Sequence, residues 1–226
     1  LILTGVAVRR ANARAIGDLF SAEAGKFVAV SAGDGLEATM AAHGSGAVIR
    51  SSKSDGLTIN VDIGGGTTKI AHCRGGKVER VTALDLDSVA PMPFADGSFQ
   101  HIEAQDIREH VQDMVRVMSE CRRILCEGGT LQVRGPHYTS RNLHTDPTHL
   151  RAFSSETFAW FVGGPWTNDW ARGWSGVRVR IRFEGWTPWR PLGWVINLHP
   201  ALQKIYEATF LCYLFPAKDV CAPLTR

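Results

Sequence analysis

The chain has 226 residues, 44% hydrophobic and 21% charged, a composition that fits an ordinary globular protein and excludes disorder. Its formal charge of +3 is too small to point to nucleic acid, which selects concentrated Lys/Arg patches. Five cysteines at 73, 121, 126, 212 and 221 form no CxxC pair, and an odd number without metal spacing reads as reduced thiols in a cytoplasmic protein.

The opening LILTGVAVRR has no initiator Met, and Arg9 and Arg10 break its apolar run well before the roughly 20 residues of a membrane span. It is neither signal peptide nor anchor, and the chain reads as a fragment whose beginning lies upstream. ILTGVAV predicts a short strand, RRANARAIGDLFSAEAG a helix closed by Gly25, and KFVAVSAG a second buried strand. LEATMAAHGSGA predicts a short helix running into glycines.

LTINVDIGGGTTKIAHCRGGKVERV, Leu57 to Val81, admits two chemistries. A methyltransferase cofactor loop would need its glycines to open a helix, so that backbone N–H groups face the ligand. Here β-type residues alternate on both sides of a Gly-Gly turn, which predicts a β-hairpin. Such a hairpin offers successive N–H groups and two Thr hydroxyls to a phosphate, with Asp62 placed to hold a metal or a water. LILTGVAVRRANARAI, FVAVSAGDGLEATMAAHGSGA and NVDIGGGTTKIA together resemble the reactivating factors of ethanolamine ammonia-lyase, within the actin and Hsp70-like ATPase superfamily. The resemblance covers residues 1–84. It implies ATP with magnesium at Asp62, Gly64, Gly65, Gly66, Thr67 and Thr68, and ethanolamine ammonia-lyase as partner. The second lobe of that family, with its adenosine-binding residues, has no counterpart here.

After residue 84 the composition changes, and all seven tryptophans fall between 160 and 194. ALDLD predicts a strand ending at Asp85 and Asp87, Pro91 and Pro93 enforce an extended crossing, and DGSF turns into the strand FQHIEA. DIREHVQDMVRVMSECRRIL predicts an amphipathic helix, with Val111, Met114, Val115, Met118 and Ile124 at helical spacing. CEGGTLQVRGP adds a Gly-Gly turn and a further strand, giving half of an open α/β sheet. PMPFADGSF, REHV, ECRRIL…GGTL and DPTHLRAFSSETF make residues 82–226 similar to class I S-adenosylmethionine-dependent methyltransferases.

That resemblance implies S-adenosylmethionine as cofactor, with Asp87 near the adenine and Asp85 its competitor. Phe94 and Ala95 would pack by the adenine, and Glu109 and His110 would flank the methionine side. The residue-level alternatives are a turn-forming Asp87 and a Glu109 placed in a first helical turn by the dipole. The glycine-rich first motif is missing from its place, and Gln100 stands where the family carries an acid. Asp62, Gly64 and Gly66 fit D-x-G-x-G, but Thr68 replaces a small residue there. The resemblance names no methyl acceptor.

RGPHYTSRNLHTDPTHLRAFSSETFAWF brings His137, Tyr138, Arg141, His144 and His149 beyond the last strand, where a loop would cap an acceptor pocket. His144, Asp146 and His149 can be written as a metal trio, but Asp146-Pro147 forms turns and SSETF carries a helix-capping pattern. No metal is therefore expected. VRVRIRF predicts a strand with Arg178, Arg180 and Arg182 on the wet face, paired as a hairpin in a small Trp-rich β-unit. NLHPALQKIYEATFLCYLFPA predicts a helix, with FLCYLF packed in the core and too short to span a membrane.

The expected fold is α/β: an incomplete Rossmann-like methyltransferase sheet over 85–226, preceded by an actin/Hsp70-like α/β fragment with a glycine-rich β-hairpin over 1–84. The expected function is methyltransferase-type with an impaired cofactor site. The alternatives are a nucleotide-binding reactivase fragment and a non-native fusion without activity.

Overall fold

The computed structural model describes residues 2–4, 30–32, 34–54, 56–64, 67–84, 90–106, 109–163 and 173–226. The chain divides into two compact units, Leu1–Asp85 and Leu86–Arg226.

In the first unit β1 (Ile2–Thr4) pairs in parallel with β2 (Val30–Ala32), and the helix expected between them lies outside the described residues. α1 (Asp34–Gly44) and α2 (Ala47–Ser51) follow, joined through Gly46 at φ 86°, a left-handed conformation that glycine adopts without a Cβ penalty. β3 (Thr58–Gly64), β4 (Thr67–Arg74) and β5 (Lys77–Leu84) form an antiparallel meander. The hairpin expected from the alternation is thus present: Gly64 lies opposite Thr67, and β4 continues as a strand where a cofactor loop would begin a helix. Ala38, Ala42, Ala47 and Val48 pack against Ala71 and Cys73, small residues that let the helices lie close on the strands.

The second unit is built on a strand–helix–strand crossover. β6 (Phe99–Gln105) leads through a loop to α3 (Met114–Ile124), which passes directly into β7 (Leu125–Pro136), parallel to β6. The helix is shorter than its periodicity suggested. Asp113 caps it by accepting from the Arg116 N–H at 2.9 Å, so Glu109 and His110 lie in the loop before it and not in a first helical turn. Its buried face is Met114, Val117, Met118, Cys121 and Ile124. The expected Gly-Gly turn is a bulge inside β7, where the β6 pairing shifts register between Phe99 and His101.

Arg123 explains why PMPFADGSF and ECRRIL occur together. Its guanidinium donates to the Phe94 carbonyl at 2.8 Å, the Met92 carbonyl at 3.0 Å and Asp96 at 2.6 Å, while pairing with Glu120 at 2.8 Å. One side chain on the helix therefore clamps the turn that precedes β6.

Beyond β7 come α4 (Arg141–Thr145), α5 (Ser155–Ala159), β8 (Ser175–Val177), β9 (Arg180–Arg182), α6 (Leu192–Ile196), α7 (Pro200–Ala208), α8 (Leu211–Leu214) and β10 (Asp219–Thr225). The capping pattern of SSETF is present: the Thr157 hydroxyl accepts from the Ser154 N–H at 3.0 Å. β10 inserts antiparallel between β7 on one side and β8 and β9 on the other. VRVRIRF therefore pairs with the distant β10 and forms neither a local hairpin nor an appended β-unit. Ile181 is buried between exposed Arg180 and Arg182, as the alternation predicts.

FLCYLF also departs from the expected core packing. Only Cys212 turns fully inward, while Phe210 is 71% and Tyr213 72% exposed. No helix among the described residues is long and apolar enough to cross a membrane. All five cysteines carry free thiols.

Candidate functional site

The parallel pairing of β6 and β7 brings their carboxyl ends to one edge, the place where open α/β sheets bind ligands. A cavity of about 240 Å³ lies there, lined by Asp106 after β6, Glu109 in the following loop, Arg134 and Pro136 at the end of β7, and Lys218 and Asp219 at the start of β10. Arg182 from β9 and Asn142 and His149 from the segment after β7 complete it. The register explains the convergence, because Asp219 pairs with both Pro136 and Arg182.

The lining carries charges of both signs in a half-desolvated setting. Arg134 forms an ion pair with Asp106, whose backbone at φ 53° is the one non-glycine residue at positive φ among the described residues. Asp219 is 5% exposed, and burial together with the Asp106 charge pushes its carboxyl up to about 6. Glu109 is 1% exposed, and burial pushes it up to about 8, with Asp106 and Asp219 adding to the rise and its own backbone N–H and Arg134 opposing it. Its Oε2 has no hydrogen-bond partner.

Two loops are joined around Glu109. The Leu150 N–H donates to the Glu109 carbonyl at 2.6 Å, and Arg151 donates to the Gln112 carbonyl at 2.7 Å. The second loop is held from below by Phe153, whose N–H donates to the Pro136 carbonyl at 3.0 Å and whose ring lies against Gly135. A Cβ at Gly135 would overlap that ring, so the close approach needs glycine. Asp146 folds back as the turn former expected, accepting from the Thr148 N–H at 2.8 Å. The turn sets His149 beside His110, ring centroids 4.7 Å apart, and one ligand atom from each of Glu109, His110 and His149 lies within 4.8 Å of the others.

The other expected residues are dispersed. Asp85 and Asp87 lie outside the described residues. Phe94 packs edge-on against Phe99 with centroids 5.1 Å apart, and Ala95 is exposed. His137 and Tyr138 do not line the cavity. His137 is fully buried, with Nδ1 2.8 Å from the Thr139 hydroxyl and Nε2 3.1 Å from Glu207, and the Tyr138 hydroxyl donates to the Glu207 carbonyl at 2.8 Å. Arg141 and His144 are exposed on α4. Of the acceptor residues read from sequence, only His149 reaches the cavity. Asp219, Arg134 and Asp106 were missed, since nothing local in DVCAPLT marks a strand that inserts at the site.

In the first unit Asp62 sits opposite Lys69 across β3 and β4. Burial raises the Asp62 carboxyl, Glu37 adds to it and Lys69 opposes it, while the Lys69 ammonium is paired with Glu37. Thr68 is buried. Gly64 and Thr67 close the hairpin as backbone partners, and Gly65 and Gly66 lie outside the described residues.

The chain is 38% identical over 86 residues to the ethanolamine ammonia-lyase reactivase EutA of Salmonella typhimurium, and it spans 18% of that protein's length. Among solved structures it is similar to a SAM-dependent methyltransferase from Archaeoglobus fulgidus, at 17% identity over 59% of this chain and 62% of that one, with a TM-score of 0.39. It is also similar to the Ppx/GppA family member of Aquifex aeolicus, at 20% identity over 48% of this chain and 42% of that one, TM-score 0.36. Residues 1–89 match the family described as Ethanolamine utilisation protein EutA, in line with the resemblance read from the hairpin and its flanks.

Proposed function

We propose that the second unit is a methyltransferase-type unit whose cavity takes the amino-acid end of S-adenosylmethionine. The observation that carries this reading is the cavity beyond the carboxyl ends of β6 and β7, lined by the buried acids Glu109 and Asp219 beside the half-buried bases Arg134 and Lys218. At about 240 Å³ it is smaller than the roughly 300–1,000 Å³ of a pocket for a whole drug-sized ligand, so it suits one end of the donor. That end is a zwitterion. In this reading Asp219 meets its ammonium and Arg134 and Lys218 its carboxylate, beside the two loops that the Leu150 N–H joins at the Glu109 carbonyl.

The donor supplies an electrophilic sulfonium methyl; the chain's own residues bind and orient it. Asn142 stands on the short helix α4 at the cavity's edge, so Asn142→Trp should fill the space without disturbing the sheet. Calorimetric titration of the full chain with S-adenosylhomocysteine should give heat that disappears in Asn142→Trp while circular dichroism is unchanged. No heat at millimolar ligand, or equal heat in the variant, overturns the reading.

A second reading is favoured by the β3–β4 hairpin and the reactivase similarity of residues 1–89. In it, the hairpin binds the phosphates of ATP with magnesium at Asp62, and the partner is ethanolamine ammonia-lyase. A thermal-shift rise with ATP and magnesium that is lost in Asp62→Ala supports it. A rise that is independent of Asp62 removes it.

A further inference from the structure

The geometry points to a divalent transition-metal site formed by Glu109, His110 and His149, with zinc as the ion that suits its donors best. Three observations converge on it. The first is proximity: one ligand atom from each residue lies within 4.8 Å of the others, although Glu109 and His149 are 40 positions apart in sequence. A tetrahedral ion with bonds of about 2.1 Å holds its donors about 3.4 Å apart, so the side chains need to close by only about 1.4 Å on loading.

The second is the unmet carboxylate. Glu109 is 1% exposed, and its Oε2 has no hydrogen-bond partner. A buried oxygen with no donor is costly unless something outside the chain satisfies it.

The third is the way both imidazoles are held. The Nδ1 of His149 is 3.1 Å from the Leu143 carbonyl, which can only accept, so Nδ1 carries the proton and Nε2 is left with a free lone pair. His110 reaches the same state by a longer route. The Thr148 hydroxyl spends its proton on Asp146 at 2.7 Å, so at 3.0 Å it must accept from Nδ1–H of His110, again leaving Nε2 bare. Histidine ligands in metal sites are oriented in this way, by an acceptor on the far nitrogen that fixes the tautomer.

Two imidazoles and one carboxylate select zinc and its first-row neighbours over magnesium or calcium, which prefer oxygen donors. Glu109 and His149 also line the cavity, so a three-residue set leaves a coordination position open to it. That is the arrangement of a reactive metal centre and not of a closed structural one. The site shares Glu109 and His149 with the cavity of the methyl-donor reading, and metal uptake is measured without any donor so that the two are distinguished.

The test uses the full chain stripped with a chelator and titrated with Zn²⁺ by calorimetry, and with Co²⁺ by visible absorption, in the absence of any donor. One equivalent of Zn²⁺ should bind at micromolar concentration or tighter, and Co²⁺ should develop a ligand-field band. His149→Gln and the near-isosteric Glu109→Gln should each weaken binding at least 100-fold. Thr148→Val, an exposed position whose hydroxyl joins His110 to Asp146, should weaken it 10–100-fold with circular dichroism unchanged. His43→Ala, on an exposed helix end of the other unit, should leave it unaltered. No uptake, uptake unchanged in Glu109→Gln and His149→Gln, or preference for Mg²⁺ over Zn²⁺ overturns the inference.

Discussion

Glu207→Ala is expected to lower the unfolding free energy by about 3 kcal/mol, read from the urea midpoint at unchanged slope. Glu207 on α7 accepts from the Ser155 N–H at 2.8 Å and from the Ser155 hydroxyl, and it meets Nε2 of His137 at 3.1 Å. Removing it strands three buried partners at the junction of α5, α7 and the end of β7. Glu207→Gln keeps an acceptor for Ser155 and should lose less than half as much. Burial pushes the Glu207 carboxyl up, but the bonds from His137 and Ser155 outweigh it and hold it below the ordinary glutamate range. A depressed carboxylate contributes stability above its unfolded pKa and loses it as pH falls, so the gap between wild type and Glu207→Ala should narrow below about pH 4.5. A constant gap down to pH 3 would mean that packing, and not the carboxylate, holds this junction.

Asp219→Asn is expected to act with opposite signs on stability and on donor binding. The Asp219 carboxyl is raised from 3.8 to about 6, first by burial and then by Asp106. A carboxyl raised on folding favours the folded state fully only below its unfolded pKa, and that advantage is lost as pH climbs toward the folded value. Between about pH 4 and 6 the loss is about 1.4 kcal/mol per pH unit, or about 3 kcal/mol in all. At pH 7 the neutral amide should therefore make the protein more stable than wild type, while below pH 4 the two should converge. The same substitution removes the anion proposed for the donor's ammonium, so binding of S-adenosylhomocysteine should weaken at least tenfold. In wild type that binding should strengthen as pH rises through 6. A variant that is less stable at pH 7, or one that binds the donor product equally well, would separate Asp219 from the proposed site.

The glycine-rich hairpin was legible because its signal is local: β-branched alternation on both arms and a Gly-Gly turn leave an antiparallel pair as the only arrangement that satisfies both. The loop holding Glu109 and His110 was misread as helix, since Val111 continues the apolar spacing of Met114 and Met118. The cap at Asp113 decided where the helix starts. His137 was read as an acceptor residue from its place after a strand; its burial against Glu207, 70 positions away, makes it part of the framework.

By itself, then, the sequence determined the α/β class, the change of character near residue 84 and the β-hairpin, because strand alternation, turn glycines and short motifs act over a few residues. Tertiary structure alone decided that β10 inserts beside β7, and so brings Asp219 and Lys218 to the cavity. It also decided that the turn at Asp146 lays His149 against His110. These depend on pairing between segments far apart in the chain, whose register is set by which faces are buried together and leaves no mark in either segment read alone.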